Sequence, residues 1–250
     1  MYTPDEVVAM YQKENYEEHP FFSYETNGDA LERVPRFKRF QLALEALEAE
    51  TGVGRLLDVG CGAGTFMCIA QSRGWDVQGI ELCPPLCELA ERTIGAGRVT
   101  NAAFEEIEEA DERYDAVTMW DVIEHVLDPV AWIGKARALL RPGGVVIVCT
   151  PDEESLLAET ARALYRLTAG RYYYPALALH PAYHTFFFSG TSLERLFTQH
   201  GMDLVRSYSQ EAFAAHSPLA SNTQKAVIGG IERVARGRDC CYERVVFARA

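Results

Sequence analysis

The chain has 250 residues, 48% of them hydrophobic, with 24 Lys and Arg against 36 Asp and Glu for a formal charge of −12. Such a length and apolar share suit one α/β domain with additions and exclude disorder as the main state. The acidic balance argues against a nucleic-acid groove and against simple electrostatic attraction to anionic lipid, so small-molecule chemistry fits better.

Thr3-Pro4-Asp5-Glu6 has the hydroxyl, the first-turn proline and the trailing acid of a helix start. Tyr11, Tyr16, Phe21, Phe22 and Tyr24 follow, more aromatics than a solvated linker needs, and predict a covering segment. Phe37, Phe40, Leu44 and Leu47 recur at helical spacing in a helix expected from about 31 to 50, ended by Gly52 and Gly54. Residues 1–50 thus read as an N-terminal helical and aromatic lid, and 51–250 as the main domain.

From Arg55 the pattern alternates. Strands are expected at 55–59, 75–81, about 98–103, 114–120 and 144–150, and helices at 65–73, 85–94 and 129–140. This alternation predicts a doubly wound, mostly parallel sheet covered on both faces. Gly74, Pro84-Pro85, Asp128-Pro129 and Arg141-Pro-Gly-Gly144 supply the stops, starts and turns. A lid insertion spans about 153–190, with a helix over 153–168 and a polyaromatic stretch at 172–188, whose Tyr172-Tyr-Tyr174 and Phe186-Phe-Phe188 are expected to pack the lid against the sheet or to line an apolar substrate pocket. The next helix is expected to open at Thr191 with Glu194 as its capping box and to close at Gly201. Strands at 202–208 and 241–248 complete seven, joined by a long connection, 210–239, with a helix near 225–236.

No apolar run approaches the roughly 20 residues of a bilayer span, and the opening MYTPDEVVAM lacks the basic and apolar parts of a secretory leader. The expected location is cytoplasmic. Seven cysteines scattered through apparent core elements read as reduced thiols, and Cys83 and Cys87 have no histidine at partner spacing, so no metal is expected.

The stretch LLDVGCGAGTF, residues 56–66, carries the most chemistry. Gly60, Gly62 and Gly64 give G-x-G-x-G, with Thr65 where a dinucleotide cradle would need its third glycine, and no Walker lysine follows. Nicotinamide chemistry and phosphoryl transfer therefore fit poorly. At the carboxyl end of a strand, such glycines let a ligand approach the backbone.

LLDVGCGAGTF resembles motif I of the class I S-adenosylmethionine-dependent methyltransferases. Other elements follow in that family's order: GIEL ending the second strand, YDAVTMWDVIEHVLDP across the fourth, LLRPGG and VCTPD around the fifth, and HTFFFSGTSLERLFTQHGMDLV beyond. The last resembles the branch that includes ubiquinone-biosynthesis O-methyltransferases and natural-product methyltransferases. The resemblance implies a Rossmann-like methyltransferase fold and S-adenosyl-L-methionine as cofactor, leaving as S-adenosyl-L-homocysteine. It places Gly60 and Gly62 against the methionyl part, Asp58 at the loop, Glu81 on the ribose hydroxyls, Leu82 and Phe104 on the adenine, and Cys61, Ala103 and Asp121 among the cofactor-binding residues. Arg36, ahead of Arg39, is a candidate for the cofactor carboxylate. The family's usual acid after strand three is missing from Asn101-Ala-Ala-Phe104, with backbone or Glu105 as substitutes.

His125, after strand four, is the first candidate for a general base, with His184 and His180 as the others; Glu124 is expected to order the loop. Each histidine could equally hold its loop by hydrogen bonds. The function implied is methyl transfer to a small acceptor, first an oxygen nucleophile on a phenol or related metabolite. Alternatives are N- or C-methylation of a small metabolite, and a non-catalytic cofactor-binding protein of the same fold. Residues 155–171 alternate leucine with Arg162, Arg166 and Arg171, which raises contact with a membrane surface beside plain packing on the domain. The oligomeric state is open.

Overall fold

The computed structural model describes residues 37–108, 114–180, 184–211 and 221–250. Residues 1–36 of the expected N-terminal lid, Arg36 among them, lie outside the described residues, and 37–50 lie in the first helix below.

In chain order the elements are α1 (Phe37–Thr51), β1 (Arg55–Val59), α2 (Thr65–Ser72), β2 (Asp76–Glu81), α3 (Pro84–Ile94), β3 (Val99–Asn101), β4 (Tyr114–Trp120), α4 (Pro129–Leu139) and β5 (Leu140–Pro151). Then come α5 (Leu156–Leu167), α6 (Tyr174–Leu179), α7 (Gly190–Thr198), β6 (Asp203–Gln210), α8 (Asn222–Arg236) and β7 (Glu243–Arg249). The strands form one seven-stranded sheet in the order β3-β2-β1-β4-β5-β7-β6. β1 pairs in parallel with β2 and β4, and only β7 runs against its neighbours, β5 and β6. The mostly parallel, doubly wound expectation holds.

Neighbouring strand residues point to opposite faces, and both faces are covered, which is why the strands read as apolar runs rather than alternations. Leu57, Val117, Val146 and Val246 face α4 and α7, whereas Leu56, Ala116, Ile147 and Phe247 face α1 and α2. A third, smaller cluster joins Leu157 and Ala161 of α5 to Leu179 of α6, with Ile228 and Ile231 of α8 against it. Packed on one another, these three helices form a cap beyond the carboxyl end of β5. Sheet order reverses between β1 and β4, so the crevice opens beyond those two strands.

Sequence punctuation is met at most boundaries. Asp128 caps α4 by accepting from the Ala131 amide at 2.9 Å, and Ser155 does the same for α5 at the Ala158 amide. Arg141-Pro-Gly-Gly144 turns as expected, as a bulge inside β5: Tyr114 of β4 pairs with Leu140 and Ala116 with Val145, so these four residues loop out, with Gly143 at φ 80°. One local expectation is corrected: the capping box of α7 is Ser189 with Ser192, not Thr191 with Glu194. Phe188 still bridges Asp152 in extended geometry, so Ser189 is the last extended residue and the natural cap. All seven cysteines are reduced, five of them buried.

Candidate active site

The glycine loop leaves β1 beneath the end of β2, where the amides of Gly60 and Cys61 both donate to the Ile80 carbonyl at 2.8 and 3.1 Å. Gly60 has φ 71°, and a Cβ there would lie 2.5 Å from Val122 Cγ2, so fold and neighbour both demand glycine. Gly62, at φ 55°, differs: a Cβ would meet nothing within 4 Å. Its backbone faces open space, a cradle a ligand can enter.

Glu81 ends β2 with only 7% of its surface exposed. Its Oε2 accepts from the Gly62 amide at 2.8 Å and its Oε1 from the Cys83 amide at 2.9 Å. Burial raises its pKa, against the pull of those amides. Each oxygen keeps lone-pair capacity for a hydroxyl donor. Glu81 therefore fastens the loop while presenting a carboxylate to the crevice.

Asp58 is buried and accepts from Thr118 Oγ1 at 2.7 Å, tying β1 to β4; burial, with the charge of Glu81 adding, pushes its pKa up to about 7. It acts as a tie within the sheet. Cys61 is buried beside the loop, and Leu82 and Ala103 sit half-buried at the rim. Phe104 is a wall residue: buried, packed on Trp132 at 4.9 Å between ring centroids. Glu105 is turned away, accepting from Trp132 Nε1 at 2.8 Å. Thr65 Oγ1 and Trp120 Nε1 are buried at the starts of α2 and the β4 loop without a hydrogen-bond partner among the described residues. An open glycine cradle, a ribose-type carboxylate and two unpaired buried donors fit the cofactor that the sequence motifs imply.

Beyond β4, Asp121 takes a left-handed backbone, φ 56°, while its amide donates to the Cys149 carbonyl at 2.9 Å. The chain turns there and presents Glu124 and His125. Glu124 is buried and its carboxylate accepts from Thr150 Oγ1 at 2.9 Å; burial first, then Asp121, holds its pKa well above the usual carboxylate range. Its main-chain carbonyl accepts from the amides of Thr185 and Phe186 at 2.7 and 3.0 Å, as the sequence expectation of a loop-ordering role requires. That junction brings His184 onto His125, ring centroids 4.8 Å apart and edge to face. A carboxylate oxygen of Glu124 and one ring nitrogen each from His125 and His184 lie within 4.8 Å of one another.

His184 is shifted down to about 3, by burial first and by the nearby charges of His125 and His180 next. It stays neutral, so at most one proton rests on the pair near neutrality. The linkage has a defined sign. The unfolded chain takes this proton near pH 6.5, before the folded one does, so the stability that a neutral His184 gives above that pH is lost as pH falls toward about 3. His184→Asn should flatten the fall in urea-unfolding stability between pH 7 and pH 4; an unchanged slope would place the acid lability elsewhere.

His180 is set apart from this pair. Its Nδ1 lies 2.7 Å from the Ala176 carbonyl and its Nε2 3.0 Å from the Glu153 carboxylate. Burial opposes its charge, but those two acceptors outweigh burial and raise its pKa. Both ring nitrogens are engaged, tying α6 to the segment before α5. Arg39 of α1, the other candidate for the cofactor carboxylate, pairs with Glu243 of β7, and Gln210 Nε2 donates to the same carboxylate at 3.0 Å, a network the sequence does not announce. Asp121, Cys149 and Glu243 converge beside it, their ligand atoms within 4.8 Å of one another.

A doubly wound sheet with β7 reversed, a glycine cradle after β1 and a carboxylate after β2 defines the Rossmann-like methyltransferase class. Residues 30–207 match the family described as methyltransferase domain. The chain belongs to that family, and its fold is the class I S-adenosylmethionine-dependent one. Ubiquinone biosynthesis O-methyltransferase of Cereibacter sphaeroides (strain ATCC 17025 / ATH 2.4.3) is 38% identical over 100 residues, 38% of this chain and 40% of that protein. The same-named protein of Rhodopseudomonas palustris (strain HaA2) is 35% identical over 119 residues, 45% of this chain and 46% of that protein. The chain thus spans less than half the length of these curated relatives. Among solved structures, geranyl diphosphate methyltransferase in complex with GPP and sinefungin superposes with a TM-score of 0.62 at 16% identity, covering 99% of each chain. Magnesium protoporphyrin IX methyltransferase from Synechocystis PCC 6803 with bound SAH gives 0.59 at 12% identity over 97% of each.

Proposed function

We propose that the protein binds S-adenosyl-L-methionine in the crevice between β1 and β4 and methylates an oxygen nucleophile on a small phenol-like acceptor. The observation that carries this reading is the His125–His184 pair, set beyond β4 on the far side of the crevice from Glu81. The bound cofactor would supply a methyl carbon already activated on a sulfonium. Gly60, Gly62 and Glu81 would hold it, with Leu82 and Ala103 at the rim. A phenol needs its proton removed as the C–O bond forms, and a half-buried histidine beside a neutral one suits that task. The acceptor hydroxyl gives its proton to a ring nitrogen of His125, while the cap of α5, α6 and α8 limits water. The relatives named for ubiquinone biosynthesis O-methylation support an oxygen acceptor.

A second reading rests on the donor set itself. Glu124, His125 and His184 present one oxygen and two nitrogens in a cluster that a divalent cation could share, and a cation would favour the ionised form of Glu124. The test is mass spectrometry of products from a panel of phenols, catechols and amines incubated with the full chain and S-adenosyl-L-methionine. Phenolic products heavier by one methylene are expected. Methylated amines alone would replace the oxygen assignment, and no product from any class would leave cofactor binding as the function.

A further inference from the structure

The polyaromatic stretch divides: Phe188 is buried in the sheet core, whereas the tyrosine end turns outward. Tyr172, Tyr173 and Tyr174 are 55%, 57% and 60% exposed, and Leu167, at the end of α5, is 86% exposed. They share one edge of the cap, because α5 spends its apolar inner side, Leu157, Ala158 and Ala161, on the domain. The turn that presents them is built: the Tyr172 amide donates to Thr168 Oγ1 at 3.1 Å and the Gly170 amide to the Tyr165 carbonyl at 2.8 Å.

Charge is segregated onto the same edge. Between Thr160 and His180 the chain carries three of its 24 Lys and Arg and none of its 36 Asp and Glu. Arg162 is paired with Glu153, but Arg166 and Arg171 are exposed and make no ion pair among the described residues. A protein of charge −12 thus holds one positive, tyrosine-rich projection.

We infer that the α5–α6 edge of the cap is a docking surface for an anionic lipid bilayer, lying in the headgroup layer without crossing it. Tyrosines present an apolar ring and a polar tip, the pairing that suits the membrane–water interface, and arginines beside them meet anionic headgroups. α5 has 12 residues, far too few to span. A second copy is the poorer occupant: a two-fold contact would set Arg166 and Arg171 against their own like charges. The same cap carries His180 and leads directly to Phe187 and His184, so a lipophilic acceptor leaving the bilayer would enter beside the histidine pair.

The test is flotation of the full chain with vesicles of phosphatidylcholine alone and of phosphatidylcholine mixed with phosphatidylglycerol. Binding to the mixed vesicles at low salt is expected, with release at about 0.5 M salt, where screening reaches only a few ångströms. Each arginine near an anionic surface contributes about fivefold, so the double variant Arg166→Gln, Arg171→Gln should lower partitioning roughly 25-fold. Tyr172→Ser with Tyr173→Ser should weaken it as well, and circular dichroism should show both variants folded. No flotation of the wild type with mixed vesicles, or flotation indifferent to salt and to both variants, overturns the inference. So does a concentration-dependent dimer in sedimentation that these substitutions abolish, which would give the face to a second copy.

Discussion

Glu81→Gln is expected to weaken S-adenosyl-L-homocysteine binding by about 10- to 100-fold. Hydrogen bonds to a charged acceptor contribute about 1.5 to 3 kcal/mol, and about 1.4 kcal/mol is tenfold in affinity. The substitution keeps the shape of the side chain and removes its charge. Glu81 also supports the fold: the two carboxylate oxygens accept from the Gly62 and Cys83 amides, and an amide nitrogen in either place would oppose a donor with a donor. A melt without ligand should therefore fall too, by an amount on the order of 1 to 3 kcal/mol. Calorimetric titration beside that melt reads both effects. Equal affinities in wild type and variant would remove Glu81 from the site.

His125→Ala should slow methyl transfer by about 100-fold or more while leaving S-adenosyl-L-homocysteine affinity within about twofold, since proton removal by a positioned side chain is worth that much and Glu81 stands elsewhere. Near-normal turnover at saturating acceptor would defeat the assignment. Treatment of the wild type with a chelator separates the two chemistries of the cluster. A base needs no metal and keeps its rate; a cation held by Glu124, His125 and His184 is stripped, and activity returns only when a divalent ion is added back.

The order of strands and helices was legible because most βα and αβ junctions carry a local signal, such as Asp128-Pro129 or Pro84-Pro85, and these act within a few residues. Errors arose where tertiary geometry decides a boundary. Ser189 caps α7 because the bridge from Phe188 to Asp152 fixes where extended chain ends, and nothing near residue 191 announces that. In the site, Glu81 and the glycines were readable from motif order, but their mutual grip was not. The histidine pair was half legible. His125 and His184 were separate candidates, and their contact depends on the Glu124 carbonyl meeting amides 61 and 62 residues further on. Arg39 and Glu243 stand 204 residues apart, beyond any periodicity. The tyrosines misled for another reason: aromatic content predicts burial on average, and an exposed cluster is the exception that marks an interface.

The carbonyl of Glu124 makes the histidine pair an interlock. One histidine hangs from the β4 loop and the other from the segment below the cap, and the same peptide oxygen, through the amides of Thr185 and Phe186, holds both in register. Two such bonds contribute only about 1 to 3 kcal/mol. Under the proposed mechanism, a segment that lifted away would take His184 with it, and assembly of the pair and closure over the acceptor would be a single event, timed by one oxygen atom of the main chain.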